Sequence, residues 1–271
     1  MIEHYDFDSK ILSDDFHFVF LSDLHEVQHG TDNKDLLDAI KALNPECILI
    51  GGDMITSYKG ITKELDETLV FIRNLSKAFP VVYVPGNHER ALFDIKEADY
   101  SHRVTQKEKD DIERINRLEK TLKECDIPLL RNESLELHGG KVMVYGLDLS
   151  LDYYRRIIRR APEDECIVNL LGTPEEGHYN IMLAHDPEHF DEYSKWGCDL
   201  VLSGHLHGGI IRIPGLGGVI SPQLKLFPKY DAGVFSKGAS KMLLTRGIGN
   251  HSVPVRIFNK AEVCDVIIHN K

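Results

Sequence analysis

Five short apolar runs punctuate this chain, and each ends in residues that bind metals. Phe16–Leu21 leads into Asp23-Leu24-His25, Cys47–Ile50 into Gly52-Asp53, and Val81–Val84 into Gly86-Asn87-His88-Glu89. Ile181–Ala184 leads into His185-Asp186, and Leu200–Leu202 into Gly204-His205-Leu206-His207. Short runs that are apolar throughout, rather than alternating, predict strands buried on both faces. Between the first two, Leu36, Leu37, Ile40 and Leu43 fall on one helical face. Leu65, Leu69, Ile72 and Leu75 do the same between the second and third, with Thr62 as N-cap and Pro80 as the stop. Strand and helix alternate in βαβα order, which predicts parallel strands.

Further along, the pattern changes twice. A stretch at about 94–124 is crowded with Lys, Asp, Glu and Arg, yet Ile112, Ile115, Leu118 and Leu122 keep helical spacing. It predicts a charged helical insert, exposed and packed along one stripe. Ser134–His138 and Lys141–Leu147, joined by Gly139-Gly140, predict a hairpin. Met242–Thr245, Val253–Phe258 and Val263–His269 are further strand candidates. A first half built of βαβ units and a second half built of hairpins predicts an α/β fold. Its form is a two-sheet β-sandwich flanked by helices, a single domain over 1–271.

Composition removes several function classes. The chain has 271 residues, 42% of them hydrophobic, enough to bury a core. Its net charge of −11 argues against broad nucleic-acid attraction. A nuclease would want a basic groove and stacking aromatics; this chain has one arginine cluster (Arg155, Arg156, Arg159, Arg160) and one tryptophan, Trp196. The cluster reads as a solvated helix face beside Glu163, Asp164 and Glu165, with peripheral membrane contact as the alternative. The five cysteines are scattered and show no CxxC spacing, which predicts reduced thiols and a cytoplasmic setting. Met1 to Asp15 is acidic and unlike a signal peptide. No run approaches the roughly 20 apolar residues of a bilayer span.

The chemistry lies at the strand ends. In open α/β sheets, sites assemble where strands finish at their C-terminal edge. Asp23 and His25 are two residues apart, so in an extended chain both point to one side, and His205 and His207 repeat that spacing. Carboxylate, imidazole and amide oxygen suit Mn, Fe, Zn or Ni and poorly suit soft copper. Seven donors (Asp23, His25, Asp53, Asn87, His185, His205, His207) exceed one ion and fit two, roughly 3.5–4 Å apart, sharing a carboxylate. Asp53 is the natural bridge. Such a pair clamps a phosphoryl group and lowers the pKa of a bridging water, so that hydroxide can attack phosphorus in line. His88 would sit beside that group, stabilising charge or protonating the leaving oxygen. Taken singly, His185 reads as a loop histidine and Asp53 as a turn residue; together, beside others of their kind, they read as one centre. Asp186 reads either as a supporting partner or as surface loop, and Glu89 as a cap without a catalytic role. Leu216, Val219, Ile220, Leu224, Leu226 and Phe227 read as ordinary packing, or as an apolar wall for a lipid or nucleoside tail.

In order and spacing, Asp23-x-His25, Gly52-Asp53, Gly86-Asn87-His88-Glu89, His185 and Gly204-His205-x-His207 resemble the signature blocks of the calcineurin-like metallophosphoesterases. The resemblance implies one metal on Asp23, His25, Asp53 and His207, and the other on Asp53, Asn87, His185 and His205. It places His88 beside the scissile phosphate and implies a two-sheet sandwich. The later segments Thr245-Arg246-Gly247-Ile248-Gly249 and Pro254-Val255-Arg256 resemble the bacterial YkuE-like branch. Many members of that branch carry an N-terminal membrane anchor or export signal, from which this sequence departs. The implied activity is a metal-dependent phosphodiesterase acting on a small phosphorylated substrate. Manganese is the expected ion, with Fe, Zn, Ni or Co as alternatives. Competing readings are a pyrophosphohydrolase of a nucleotide-linked lipid, and a non-catalytic scaffold, which would be expected to have lost ligands or His88.

Overall fold

The structure is a computed structural model that describes residues 1–100, 103–154, 161–209, 211–213, 217–220, 228–250 and 256–271. The chain runs β1 (Ile2–Ser9), β2 (Phe16–Leu21), α1 (Lys34–Leu43), β3 (Cys47–Ile50), α2 (Lys63–Ser76), β4 (Val81–Tyr83), α3 (Asn87–Glu97) and α4 (Gln106–Glu124). It continues through β5 (Glu133–Leu137), β6 (Val142–Leu147), α5 (Asp164–Leu171), β7 (Tyr179–Ala184), α6 (Phe190–Trp196) and β8 (Leu200–Ser203). The last strands are β9 (Ile211–Ile213), β10 (Gly217–Ile220), β11 (Gly233–Lys237), β12 (Ser240–Leu244) and β13 (Val263–Asn270).

Two sheets hold the molecule together. The first has the order β1-β13-β2-β3-β4, with β2, β3 and β4 parallel and β13 antiparallel to β2. The second has the order β11-β12-β8-β7-β6-β5, with β6, β7, β8 and β12 parallel. Alternation along β2 shows why its residues are apolar on both sides. Phe16, Phe18 and Phe20 enter the core between the sheets, against the layer that holds Val144, Ile181, Leu183 and Leu202. Val19 and Leu21 face outward into the layer with Leu37, Ile40, Leu69 and Ile72 from α1 and α2. The second sheet is covered likewise by Phe190, Tyr193 and Trp196 of α6 over Met182, Val201 and Met242. Each side chain buried this fully contributes roughly 1.5–3 kcal/mol over an exposed one. The architecture is the two-sheet sandwich flanked by helices that the sequence predicts.

Local signals held where a cap or turn fixes them. Thr62 accepts from Leu65 N at 3.3 Å and starts α2. The β5–β6 pair is antiparallel and turns through His138–Gly140.

Three expectations need correction or placing. The charged stretch at 94–124 is not one surface helix: α3 already runs from Asn87 to Glu97, and a capping box at Thr105 and Glu108 starts α4 afresh. α4 also buries Asp111, Arg114 and Thr121 with its apolar stripe, so it is tied to the body by polar groups as well. Of the predicted strand Val253–Phe258, residues 251–255 lie outside the described residues, and no strand runs through 256–258. Arg155, Arg156, Arg159 and Arg160 also lie outside them, as do Leu216, Leu224, Leu226 and Phe227. Among the described residues, no helix is long and apolar enough to cross a membrane.

Candidate metal centre

All five predicted ligand loops follow strands at one edge of the sandwich, three from the first sheet and two from the second. Backbone bonds lock them to one another. Asp23 N donates to Gly52 O at 3.0 Å, His25 N to Asp53 O at 2.9 Å, and Gly204 N to His185 O at 3.1 Å. Gly52 has φ +85°, and a Cβ on it would lie 1.9 Å from Gly86 N. The loops bearing Asp53 and Asn87 therefore touch backbone to backbone, which only glycine permits. Gly204 plays the same part between sheets, where a Cβ would sit 2.2 Å from Asp23 Oδ2.

Asp23 and His25 do not share a side through an extended backbone. Neither residue is extended: φ is 60° at Asp23 and 49° at His25. Asp53 (54°), His205 (71°) and His207 (50°) are also left-handed. The side chains converge because the chain turns sharply at each strand end, a conformation that costs non-glycine residues energy and clusters at functional sites.

The side chains meet in three groups whose ligand atoms lie within 4.8 Å of one another: Asp23, His25 and His207; Asp53, His185 and His205; and His25, Asp53 and His88, which overlaps both. Asp23 Oδ1 is 3.8 Å from His25 Nε2, 3.8 Å from His185 Nε2 and 3.4 Å from His207 Nε2. Asp53 Oδ2 is 3.1 Å from His185 Nε2 and 3.7 Å from His25 Nε2, between the groups. His25 Nε2 and His207 Nε2 are 3.1 Å apart, and Asn87 Oδ1 is 2.7 Å from His205 Nδ1. Asp23, His25, Asp53, His185 and His207 are buried, while Asn87, His88 and His205 are half-buried and form the open side.

The surroundings ask for positive charge. Burial opposes charge on both carboxylates, but His185 and His88 around Asp53, and His207 and His25 around Asp23, outweigh it and hold both below the usual range. His185 shows the converse. Burial favours its neutral form, yet Asp53 and Asp23 raise its pKa to about 10. Its Nδ1 sits 2.8 Å from Gly51 O and donates there, which leaves Nε2 facing Asp53. In the metal-free fold a proton on Nε2 joins His185 to Asp53 at 3.1 Å, and a divalent ion taking that proton's place would be held by both groups. The donor set thus fits divalent metal on the chemistry of its own atoms. His88 differs: burial, with His25 and His185 nearby, lowers its pKa to about 4 against the pull of Asp53.

Ser57 and Tyr154 were not singled out from the sequence, and Arg256 was read only for the branch resemblance, without a place at the centre. Ser57 Oγ and N lie 2.9 Å and 3.2 Å from His88 Nδ1. The Tyr154 ring stands edge-on to His205 at 5.5 Å between centroids. Arg256 reaches His207 Nδ1 at 3.3 Å and also binds Gly249 O. Nothing in periodicity marks these positions, which come together only in space. Glu89 is a cap, and more: its carboxylate accepts from Asp53 N at 2.8 Å, Met54 N at 2.9 Å and Gly86 N at 3.0 Å. Asp186 is buried rather than surface loop, and it caps the next turn by accepting from Glu188 N at 3.0 Å.

A sandwich that gathers carboxylate, imidazole and amide donors where both sheets end has the build of a metal-dependent hydrolase. The chain belongs to the calcineurin-like phosphoesterase family, whose model matches residues 16–209. It is a metal-dependent phosphoesterase. Three proteins of Bacillus subtilis (strain 168) are similar to it. YpbG is 26% identical, covering 88% of this chain and 75% of its own. The metallophosphoesterase YkuE is 24% identical (92% and 78%), and the metallophosphoesterase YkoQ 26% identical (90% and 80%). They bear out the bacterial branch read from the sequence. One solved structure superposes with a TM-score of 0.50 at 10% identity, covering 87% of this chain and 91% of that one, a likeness of fold alone.

Proposed function

We propose that the centre holds two divalent ions and hydrolyses small phosphodiesters. One ion would lie on Asp23, His25, Asp53 and His207, the other on Asp53, Asn87, His185 and His205, with Asp53 shared. The position of Asp53 between the two donor groups carries this reading, because a carboxylate with one oxygen near His185 and His25 can serve both sides. Bound there, the ions would polarise the phosphoryl oxygens and supply a hydroxide nucleophile near neutral pH.

The chain's own groups do the rest. Asn87, His88, His205 and Tyr154 border the half-buried side, where substrate would enter. α3 begins at Asn87, so the positive end of its dipole faces an incoming anion. Nearby arginines are largely engaged: Arg90 binds Asp148 at 3.1 Å and Asp94 at 2.6 Å, and Arg256 holds backbone carbonyls through one Nη, its other Nη being buried without a partner among the described residues. That favours a singly charged diester over a doubly charged monoester. The acidic chain favours a small substrate over nucleic acid. Manganese is the ion we expect, and the five unpaired cysteines favour a reducing, cytoplasmic setting.

The test is elemental analysis of the purified protein, coupled to turnover of an aryl phosphodiester, the matching monoester and a nucleotide pyrophosphate with Mn, Fe, Zn, Ni or Co. We expect about two ions per chain and fastest turnover of the diester. Bound metal without turnover of any of the three would sink the reading in favour of a scaffold.

A further inference from the structure

We propose that Ser57 is a positioning residue that holds the His88 ring with its proton on Nε2. His88 then serves the reaction as a neutral hydrogen-bond donor and not as a proton-transferring acid. The inference rests on the function proposed above and chooses between the two roles that His88 could play there.

Ser57 N lies 3.2 Å from His88 Nδ1, and an amide N–H can only donate. Nδ1 must therefore present a lone pair, and the hydroxyl at 2.9 Å donates to the same nitrogen. A neutral imidazole with its lone pair on Nδ1 carries its proton on Nε2. Imidazolium would set an Nδ1–H against the Ser57 N–H, donor facing donor. Among the described residues, Nε2 has no protein partner, so its N–H is free for substrate.

The amide is aimed, not incidental. On one side of it, Thr56 N donates to Glu26 Oε1 at 2.8 Å; on the other, Tyr58 N donates to Asp111 Oδ1 at 2.8 Å. Arg114, fully buried, binds both Glu26 and Gly60 O. Two carboxylates and one guanidinium thus fix the loop on both sides of Ser57, and α4 supplies two of the three groups. The backbone that carries the ring is fixed as well, since the His88 amide N donates to Asp53 Oδ1 at 2.8 Å.

A neutral imidazole that surrendered its Nε2 proton would become an anion. Donation therefore stops at a hydrogen bond to the phosphoryl or leaving oxygen, as a preorganised donor does. The proton stays on Nε2 throughout, and the departing oxygen takes its own from water.

Ring nitrogen-15 NMR of the zinc-loaded protein, with His88 assigned by its absence in His88→Gln, reads the arrangement directly. We expect a bare Nδ1 and a protonated Nε2; a proton on Nδ1 overturns the proposal. Turnover gives a second reading, because the Gln amide N–H₂ can replace a neutral donor but not an acid. His88→Ala is expected to lower kcat roughly 10²–10³-fold, and His88→Gln to recover at least about tenfold of that loss at equal metal content. Gln as inactive as Ala, with metal and melting temperature unchanged, overturns the donor role. Ser57→Ala should lower kcat about 3–10-fold at unchanged KM, with Ser57→Thr restoring it; an unchanged kcat removes Ser57 from the mechanism. Failure of the wild-type protein to turn over any phosphoester would overturn the function instead, and the NMR tautomer would still decide the Ser57 arrangement.

Discussion

At the scale of single residues, charge balance governs the centre. Asp53→Asn should lose metal and activity together, at least about 100-fold in turnover, because a neutral amide cannot neutralise two ions; elemental analysis beside kinetics checks it. His185 gives a pH dependence whose sign follows from its pKa of about 10. In the metal-free fold that value is raised, so its contribution to stability is full below the unfolded pKa of roughly 6.5 and is lost as pH rises through about 10. Metal binding needs the neutral ring, so below about pH 10 each binding event releases this proton and affinity rises with pH. Calorimetry in two buffers of different ionisation heat measures the release, and none at neutral pH would contradict the assignment. That the seven proposed donors and His88 come together was legible because each stands next to a strand end in sequence. Ser57 and Tyr154 were not, since they meet His88 and His205 only after folding. The left-handed backbone at Asp23, His25, Asp53, His205 and His207 was equally hidden, because Asp and His carry no mark of it.

Among secondary-structure elements, those buried on both faces were the readable ones. β2 and β3 begin and end where their apolar runs do, since burial on both sides makes their residues apolar, with His17 the one polar position near the start of β2. β1 was missed for the opposite reason. As an edge strand it buries Phe7 and Ser9 while His4, Asp6 and Asp8 stay exposed, so its period of two reads as an acidic tail. α4 was read as a surface helix because Arg114 and Asp111 look solvated in a charged stretch, whereas both are buried. Burial lowers the Arg114 pKa to about 10, the mark of a desolvated cation. Arg114→Ala would leave the Glu26 charge short of its buried partner and should cost about 3–5 kcal/mol in urea unfolding. Replacing both, Arg114→Met with Glu26→Gln, should recover part of that cost. Equal loss in the single and double variants would mean the pair adds nothing beyond packing.

Across the whole molecule, the centre joins two sheets that are otherwise held by apolar contact and a few loop bonds. Donors on both halves make any bound ion a tie between them. Chelation should therefore lower the melting temperature, and restoring metal at about 100 times its Kd should add about 2.7 kcal/mol for one site. Scanning calorimetry with and without chelator checks this, and an unchanged melting temperature would place the ions, if bound, on one half alone. The sandwich itself was legible from the switch between βαβ and hairpin patterns, but the strand order was not. β13 lies between β1 and β2, with Cys264 opposite both Glu3 and Phe20. Ile248 N and Gly249 N, just ahead of it, donate to Ser22 O and Asp23 O at the first ligand loop. During synthesis, then, the earliest strands must wait as an open pair with a slot between them. The loop that carries Asp23 and His25 is braced only once Ile248, Gly249 and β13 have been made, so a nascent fragment that stops short of them has little means of capturing metal there.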